Sequence, residues 1–410
     1  MRIAFFVWQF PVISQTFVLN QIAGLLERGH EVDIYAYLPG HVSEAHPLVE
    51  RYQLLKRTFY APEIPKNSVR YVLKGAKLFW QNLQRKPWVA LRSLNIFHYG
   101  KRTISLWLIY AMTPLLDQRP YDIIHAQFGT DGLNAMFLRD VGAIEGKLIT
   151  SFRGFDITAY VYQKGNRVYN RLFQVGDFFL TSCNFFANLL LETGCSPEKI
   201  EVHYSGIDCD RFDHPPRSYP KDGMIRIITT GRLEEKKGIE YTIRAVAQLA
   251  KTYPNLEYNI IGDGSLRDEL EHLVQTLEVA HFVKLLGQKQ QQEIIEMLKQ
   301  SHVFIAASVT AKDNNSDAPN VLKEAMATRL PVVSTLHGGI PELVQDGISG
   351  FLVPERDVNA LAEKLAYLVA HPEVWAAMGK AGRNYVKAHF DTEILNDRLV
   401  EIYQNLAIQN

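Results

Sequence analysis

The stretch PNVLKEAMATRLPVVSTLHGGIPE, residues 319–342, decides how the chain is to be read. Its first third is a helix. Pro319 suits a first turn, where its missing N–H costs nothing, and Val321, Leu322, Ala325 and Met326 recur at helical spacing as one apolar stripe. Glu324 stands about sixty degrees around the helix from Val321, on the flank of that stripe. A carboxylate so placed is either a solvated boundary residue or one aimed into a cleft. The helix stops before Pro331, and residues 331–335 (PVVST) form a short buried strand. Gly338-Gly339 then makes a turn where backbone can come close to a ligand. Helix, carboxylate, buried strand and paired glycines in this order mark the ligand edge of a parallel α/β sheet, at the strands' carboxyl ends.

The pattern extends outward in both directions. Upstream, strand 225–230 ends at Gly231-Arg232, followed by LEEKKG (233–238) and a helix over 239–249. Strands at 256–261, 281–286 and 303–306 alternate with helices, and Gly262 to Ser265 cap a helix that runs to 277. Helices at 359–370, 372–389 and 391–407 complete the chain. This alternation makes a parallel sheet. The N-terminal half repeats it, with strands at 2–7, 31–35, 122–127, 147–152, 177–182 and 199–204. A helix over 15–28 has Ser14 as its N-cap, and another spans 184–192. The first β-α-β unit has no G-x-G-x-x-G fingerprint, which argues against a nicotinamide dehydrogenase. Residues 215–223, rich in proline, serine and charge, read as a linker. The expected architecture is α/β, two doubly wound Rossmann-like domains facing across a cleft, over residues 1–215 and 216–390. The segment 391–410 packs back on the first.

These residues resemble the retaining glycosyltransferases of the GT-B, family 4 type, in particular its exopolysaccharide and colanic-acid members. Their C-terminal motif reads roughly E-G-x-P-x-x-x-L-E-A-M-A-x-G-x-P-V-V, then GG-x-x-E. Pro319, Glu324, Ala325, Met326, Ala327, Pro331, Val332, Val333, Gly338, Gly339 and Glu342 match it. The first Glu of the motif is replaced by Ser316, and the following Gly by Asp317. A second motif, G-R-x-x-x-x-K-G, is matched by Gly231, Arg232, Lys237 and Gly238.

The resemblance implies a donor site for a nucleotide sugar. Arg232 and Lys237 grip the diphosphate and Glu324 takes the ribose hydroxyls; on these three the chemistry rests. A departing nucleoside diphosphate gains charge as the glycosidic bond breaks, so fixed cations stabilise the transition state more than the ground state. Gly231, Gly262, Leu286, Ser316, Asp317, Ala318, Pro319, Asn320 and Val321 complete the implied donor set. On the acceptor side of the cleft the resemblance places Ser14, Gln15 and Thr16, from an F-P-x-x-S-x-T-F motif. Gln127 or His125 follows at the end of strand 122–127, and Arg153 and Asp156 where the family has H-G-x-D. Arg153 cannot serve as a base, but it can hold a phosphate or an acidic sugar bidentately; the structural alternative is a pairing with Asp156. UDP is the commonest nucleotide in such enzymes, with UDP-glucose as the example, and GDP stays open. The alternative function is a non-catalytic nucleotide-sugar-binding protein of the same fold.

Composition fits this reading. Apolar residues make up 47% and charged residues 21% of 410, ordinary for a globular chain of two or three domains. Lysine plus arginine and aspartate plus glutamate both number 44, so net charge offers no argument for nucleic acid. Cys183, Cys195 and Cys209 form no CxxC pair and read as free thiols in a reducing compartment. No metal-ligand spacing accompanies the motifs, so no metal and no cofactor are expected. No signal peptide or membrane span is read, and the expected location is cytoplasmic. Residues 66–107 carry nine lysines and arginines and no Asp or Glu, interleaved with Phe79, Trp80, Trp88, Phe97 and Trp107. This is either a face for an anionic membrane surface, where a lipid-linked glycan acceptor would be found, or a set of ordinary solvated helices.

Overall fold

The computed structural model describes residues 1–12, 15–40, 46–316 and 318–408. Two sheets carry it, and every strand pairing in both is parallel. The first contains β1 (Arg2–Phe10), β2 (Glu31–Pro39), β3 (Thr58–Tyr60), β4 (Ile123–Ala126), β5 (Lys147–Phe152), β6 (Phe178–Thr181) and β7 (Ile200–Val202). Their order is β3-β2-β1-β4-β5-β6-β7. The second contains β8 (Ile225–Thr230), β9 (Leu256–Ile261), β10 (Val283–Leu285), β11 (Val303–Ala306), β12 (Val332–Thr335) and β13 (Gly350–Val353), ordered β10-β9-β8-β11-β12-β13. This is the doubly wound pair that the alternating pattern predicts.

The strands are apolar runs because helices cover both faces of each sheet. Residues Val303 to Ala306 and Val332 to Thr335 are buried without exception. In each sheet the strand order reverses direction once, between β1 and β4 in the first and between β8 and β11 in the second. Ligands of open parallel sheets bind outside the strand ends at such a reversal. The reversal in the second sheet lies at the end of β8, where Gly231 and Arg232 stand.

The helix Thr392–Ile408 leaves the second sheet and packs on the helix Thr16–Glu27. Leu399, Ile402, Tyr403 and Leu406 enter the core beneath β1 and β2. Fully burying a large apolar side chain contributes about 1.5–3 kcal/mol, so this crossing is a firm tie. His125 on β4 adds to it: its Nδ1 lies 2.6 Å from the Tyr403 hydroxyl and its Nε2 2.8 Å from Ser151 Oγ. Burial drives the His125 pKa well down, so the ring is a neutral bridge. It is fully buried and serves the joint between β4 and the C-terminal helix.

Local chemistry shifts one expectation. The helix of the opening stretch spans Asn320–Ala327, and Pro319 is its N-cap with ψ of 122°. The extended proline lets the preceding loop leave the helix sideways. Ser14, expected as a cap, lies outside the described residues.

Candidate active site

The carboxyl ends of the two sheets face each other and touch along one side. A Cβ on Gly154, after β5, would lie 2.9 Å from the Ser316 carbonyl oxygen, and Gly154 has φ of +140°. The Ser316 N–H is 3.4 Å from Thr158 Oγ1. Glu342 reaches across to the helix Asn184–Glu192 and accepts from Asn184 N (2.8 Å), Asn184 Nδ2 (2.7 Å) and Phe185 N (3.0 Å). The Tyr204 hydroxyl donates to it as well, at 3.2 Å. A carboxylate from one half thus caps a helix of the other, where the first N–H groups need an acceptor and the dipole favours negative charge.

At the end of β8 the chain turns through Gly231 into Arg232. The turn is tight against β9: a Cβ on Gly262, with φ of +144°, would fall 1.8 Å from the Gly231 carbonyl oxygen. The Arg232 side chain is 59% exposed and paired with Glu234 at 2.6 Å. The Lys237 side chain lies along Gly231, its Cδ 3.8 Å from where a Gly231 Cβ would be. Gly238 then caps the helix Ile239–Ala250. Two cations and a helix N-terminus therefore surround the sheet reversal, a suitable arrangement for a polyanion. Lys236, unremarked in the sequence reading, is buried. Its Nζ donates to Asn315 Oδ1 at 3.3 Å and its carbonyl accepts from Val309 N at 2.9 Å. It ties the cationic turn to the loop after β11.

Glu324 is partly buried on the flank of its helix. Its carboxylate accepts no hydrogen bond from the described residues, and burial pushes its pKa up to about 7 against the opposing pull of Lys323 and Arg211. Such a group is an acceptor pair awaiting donors, which two neighbouring hydroxyls would supply. Lys323 beside it is almost wholly buried. Its ammonium donates to the Ser205 carbonyl (2.8 Å) and Asn320 Oδ1 (3.0 Å) and sits 4.8 Å over the Phe390 ring. Burial pushes its pKa down to about 7.

Arg153 occupies the opposite wall. Its guanidinium donates to the Gln127 carbonyl (3.2 Å), Gln127 Oε1 (2.9 Å), Ser205 Oγ (3.0 Å) and Gln21 Oε1 (3.5 Å), and lies 4.3 Å over the Phe17 ring. All are neutral partners. Burial lowers its pKa to about 10. The pairing with Asp156 weighed above takes another form: the Asp156 carboxylate accepts the backbone N–H groups of Gly129 (2.8 Å), Arg153 (2.9 Å) and Gly154 (3.0 Å). It clamps the turns after β4 and β5 and acts on the guanidinium only through its charge. Arg153 and Lys323 thus bracket Ser205, one on its hydroxyl and one on its carbonyl.

The remaining sequence-predicted residues are spread more widely. Gln127 is fully buried behind Arg153, under the cleft surface. Gln15 and Thr16 begin the first helix, below the end of β1. Ser316 is buried in the contact with Thr158 and Gly154, and Ala318 packs against the first core. Pro319, Asn320 and Val321 lead into Glu324. Gly262 and Leu286 close β9 and β10, with Leu286 N donating to the Ile260 carbonyl at 2.9 Å. Asp317, like Ser14, lies outside the described residues. All three cysteines are buried free thiols. Among the described residues no group of three or more His, Cys, Asp or Glu is placed to hold a metal ion, and no helix is long and apolar enough to cross a membrane.

Comparison with known proteins agrees with this fold. Residues 14–211 match the family model described as Glycosyltransferase Family 4, and residues 210–385 the one described as Glycosyl transferases group 1. The putative colanic acid biosynthesis glycosyltransferase WcaL of Escherichia coli is 35% identical over 410 residues, 99% of this chain and 100% of that protein. The amylovoran biosynthesis glycosyltransferase AmsK of Erwinia amylovora is 34% identical over 415 residues, with 99% and 100% covered. Among solved structures, Anabaena HepE in complex with UDP-glucose superposes with a TM-score of 0.73 at 17% identity, over 99% of this chain and 100% of that one, and shares the fold. The chain belongs to the family 4 glycosyltransferases, the family that includes these colanic acid and amylovoran proteins, and has the GT-B fold.

Proposed function

We propose that this glycosyltransferase moves a hexose from a nucleotide sugar, with a UDP-sugar such as UDP-glucose favoured, to a sugar or lipid-linked sugar acceptor in exopolysaccharide or cell-envelope glycan synthesis. The transfer retains anomeric configuration, needs no metal ion, and takes place at the inner face of the cytoplasmic membrane. The observation that carries the reading is a set of three residues at one sheet edge. Glu324 is a carboxylate without a hydrogen-bond donor among the described residues, while Arg232 and Lys237 flank the turn at the strand-order reversal.

In this reading Glu324 accepts the two ribose hydroxyls, and Arg232 and Lys237 hold the β-phosphate. The bond from the sugar's anomeric carbon to the phosphate oxygen breaks and a bond to the acceptor hydroxyl oxygen forms on the same face. The acceptor's proton passes to the leaving phosphate. The charge that develops on the departing diphosphate meets two cations and the N-terminus of the helix Ile239–Ala250, already in position before reaction. Arg153 faces the cleft from the acceptor side.

The test is turnover of a donor panel. The pure protein is incubated with UDP-glucose, UDP-galactose, UDP-GlcNAc and GDP-mannose without added metal, and released nucleotide is followed by NMR, with Arg232→Ala and Glu324→Ala in parallel. Slow release from one donor, lost in both variants, is the expected result. Binding without release, even after a lipid-linked acceptor is added, would instead favour the non-catalytic binder.

A further inference from the structure

The helix Ser68–Arg85 is apolar on two sides. Gly75 and Asn82 face inward: a Cβ on Gly75 would lie 2.7 Å from Leu106 Cδ1, and Asn82 Nδ2 donates to the Ile109 carbonyl (3.2 Å) and Thr113 Oγ1 (3.1 Å). A surface helix of a water-soluble domain buries its apolar stripe. This one does so with Tyr71, Leu78, Phe79 and Leu83, which pack on the first core, and carries a second apolar stripe outward. At 100° per residue Val69, Leu73 and Trp80 fall within about 40° of one another, and all are exposed, Trp80 at 61%. The short helices that follow in the chain add further exposed apolar residues, Trp88 at 79%, Phe97 at 100% and an exposed Ile104. A patch of this extent marks an interaction surface.

Charge selects the partner. Residues 66–107 contain no carboxylate, and Arg70 and Lys77 flank the stripe without an ion pair among the described residues. Apolar side chains in the centre with lysine and arginine at the margin is the pattern of an interfacial helix on anionic lipid. The patch also adjoins the cleft. Trp107 stacks on Tyr37 at 6.1 Å and Tyr37 meets Trp8 at 5.3 Å, and Trp8 lies near the carboxyl end of β1.

We infer that this face docks the enzyme on an anionic bilayer, with the first half of the chain lying flat on lipid and the acceptor side of the cleft opening beside it. The inference rests on the proposed lipid-linked acceptor only for its purpose. Vesicle binding is read without turnover and donor hydrolysis without lipid, so either can fail alone.

The experiment uses the full chain with vesicles of phosphatidylcholine, alone or with phosphatidylglycerol admixed. Two variants accompany it, Leu73→Gln/Trp80→Gln/Phe97→Gln and Arg70→Glu/Lys77→Glu, each checked by thermal melting. The parent is expected to sediment with the anionic vesicles only, to release as salt rises, and to shift its tryptophan emission to the blue. Each variant should bind at least about tenfold more weakly, with donor hydrolysis in lipid-free buffer unaltered. Equal sedimentation with both vesicle types, no sedimentation at all, or unchanged binding by both variants overturns the inference. So does a parent dimer in light scattering that the triple variant turns into a monomer, since a second copy would then cover the face.

Discussion

Glu342→Gln should loosen the approach of the two halves and weaken the donor's grip. The wild-type carboxylate accepts from two backbone N–H groups, the Asn184 side chain and the Tyr204 hydroxyl, at 2.7–3.2 Å. Replacing a good N-cap costs about 1 kcal/mol. Loss of charge opposite a helix N-terminus and of the polar side-chain contacts adds a similar amount, kept small because the site is half exposed. A total of about 2 kcal/mol corresponds to about a 30-fold shift between open and closed arrangements. If donor binds the closed arrangement, its KM rises by up to that factor, and small-angle scattering shows a larger radius of gyration than for the parent. An unchanged radius together with a KM within about twofold of the parent would refute the reasoning. Closure would then rest on the other contacts between the halves, among them Lys323 with Ser205, Ser316 with Thr158 and the packing of Gly339 on Cys183.

Three further outcomes are expected. In the proposed function Glu324 binds ribose hydroxyls as a carboxylate, and its pKa is raised to about 7, so donor KM should fall as pH rises through 7. Lys323→Met, which removes a neighbouring cation, should move that limb to higher pH, and a pH-independent donor KM in the parent would contradict the assignment. Gly262→Ala should lower the melting temperature by about 5–10 °C, because its methyl group collides with the Gly231 carbonyl and the residue holds a positive φ; calorimetry reads this directly. Tyr403→Phe removes the hydroxyl joined to His125 and should cost about 1 kcal/mol, visible as a lower urea midpoint with unchanged donor KM.

What could be read in advance follows from where the information lies. Ile225–Thr230 and Leu256–Ile261 have the bounds that their apolar, β-branched runs predict, since burial on both faces leaves few polar residues to blur the ends. Thr58–Tyr60 and Gly350–Val353 stand at sheet edges and are too short to show a period, so neither is legible. The helix Gln291–Gln300 is hidden by a glutamine-rich run, although its start is fixed by a reciprocal cap between Gln290 and Glu293. Arg232, Lys237 and Glu324 stand out because their pattern is local. Lys323 and Glu342 do not, because their partners come from far away in the chain. Lys323 next to Glu324 has the look of an ordinary surface lysine, and only Ser205 and Phe390, more than sixty residues off in either direction, bury it.

Exposure sorts the cleft's cations by task. A group that must accept and release a diphosphate in every cycle needs a weak resting partner. Arg232 has one, since an exposed pair such as Arg232–Glu234 contributes only about 0–1 kcal/mol, and phosphate oxygens can displace it at little cost. Arg153 and Lys323 are the reverse. Each is buried and held by neutral oxygens from several segments, and neither is hydrogen-bonded to a carboxylate. Because both lean on Ser205, the segment between the sheets senses the position of both halves at once. In the proposed function the exposed Arg232 therefore takes the diphosphate, while Arg153 and Lys323, meeting at Ser205 from the two halves, hold the cleft walls in place.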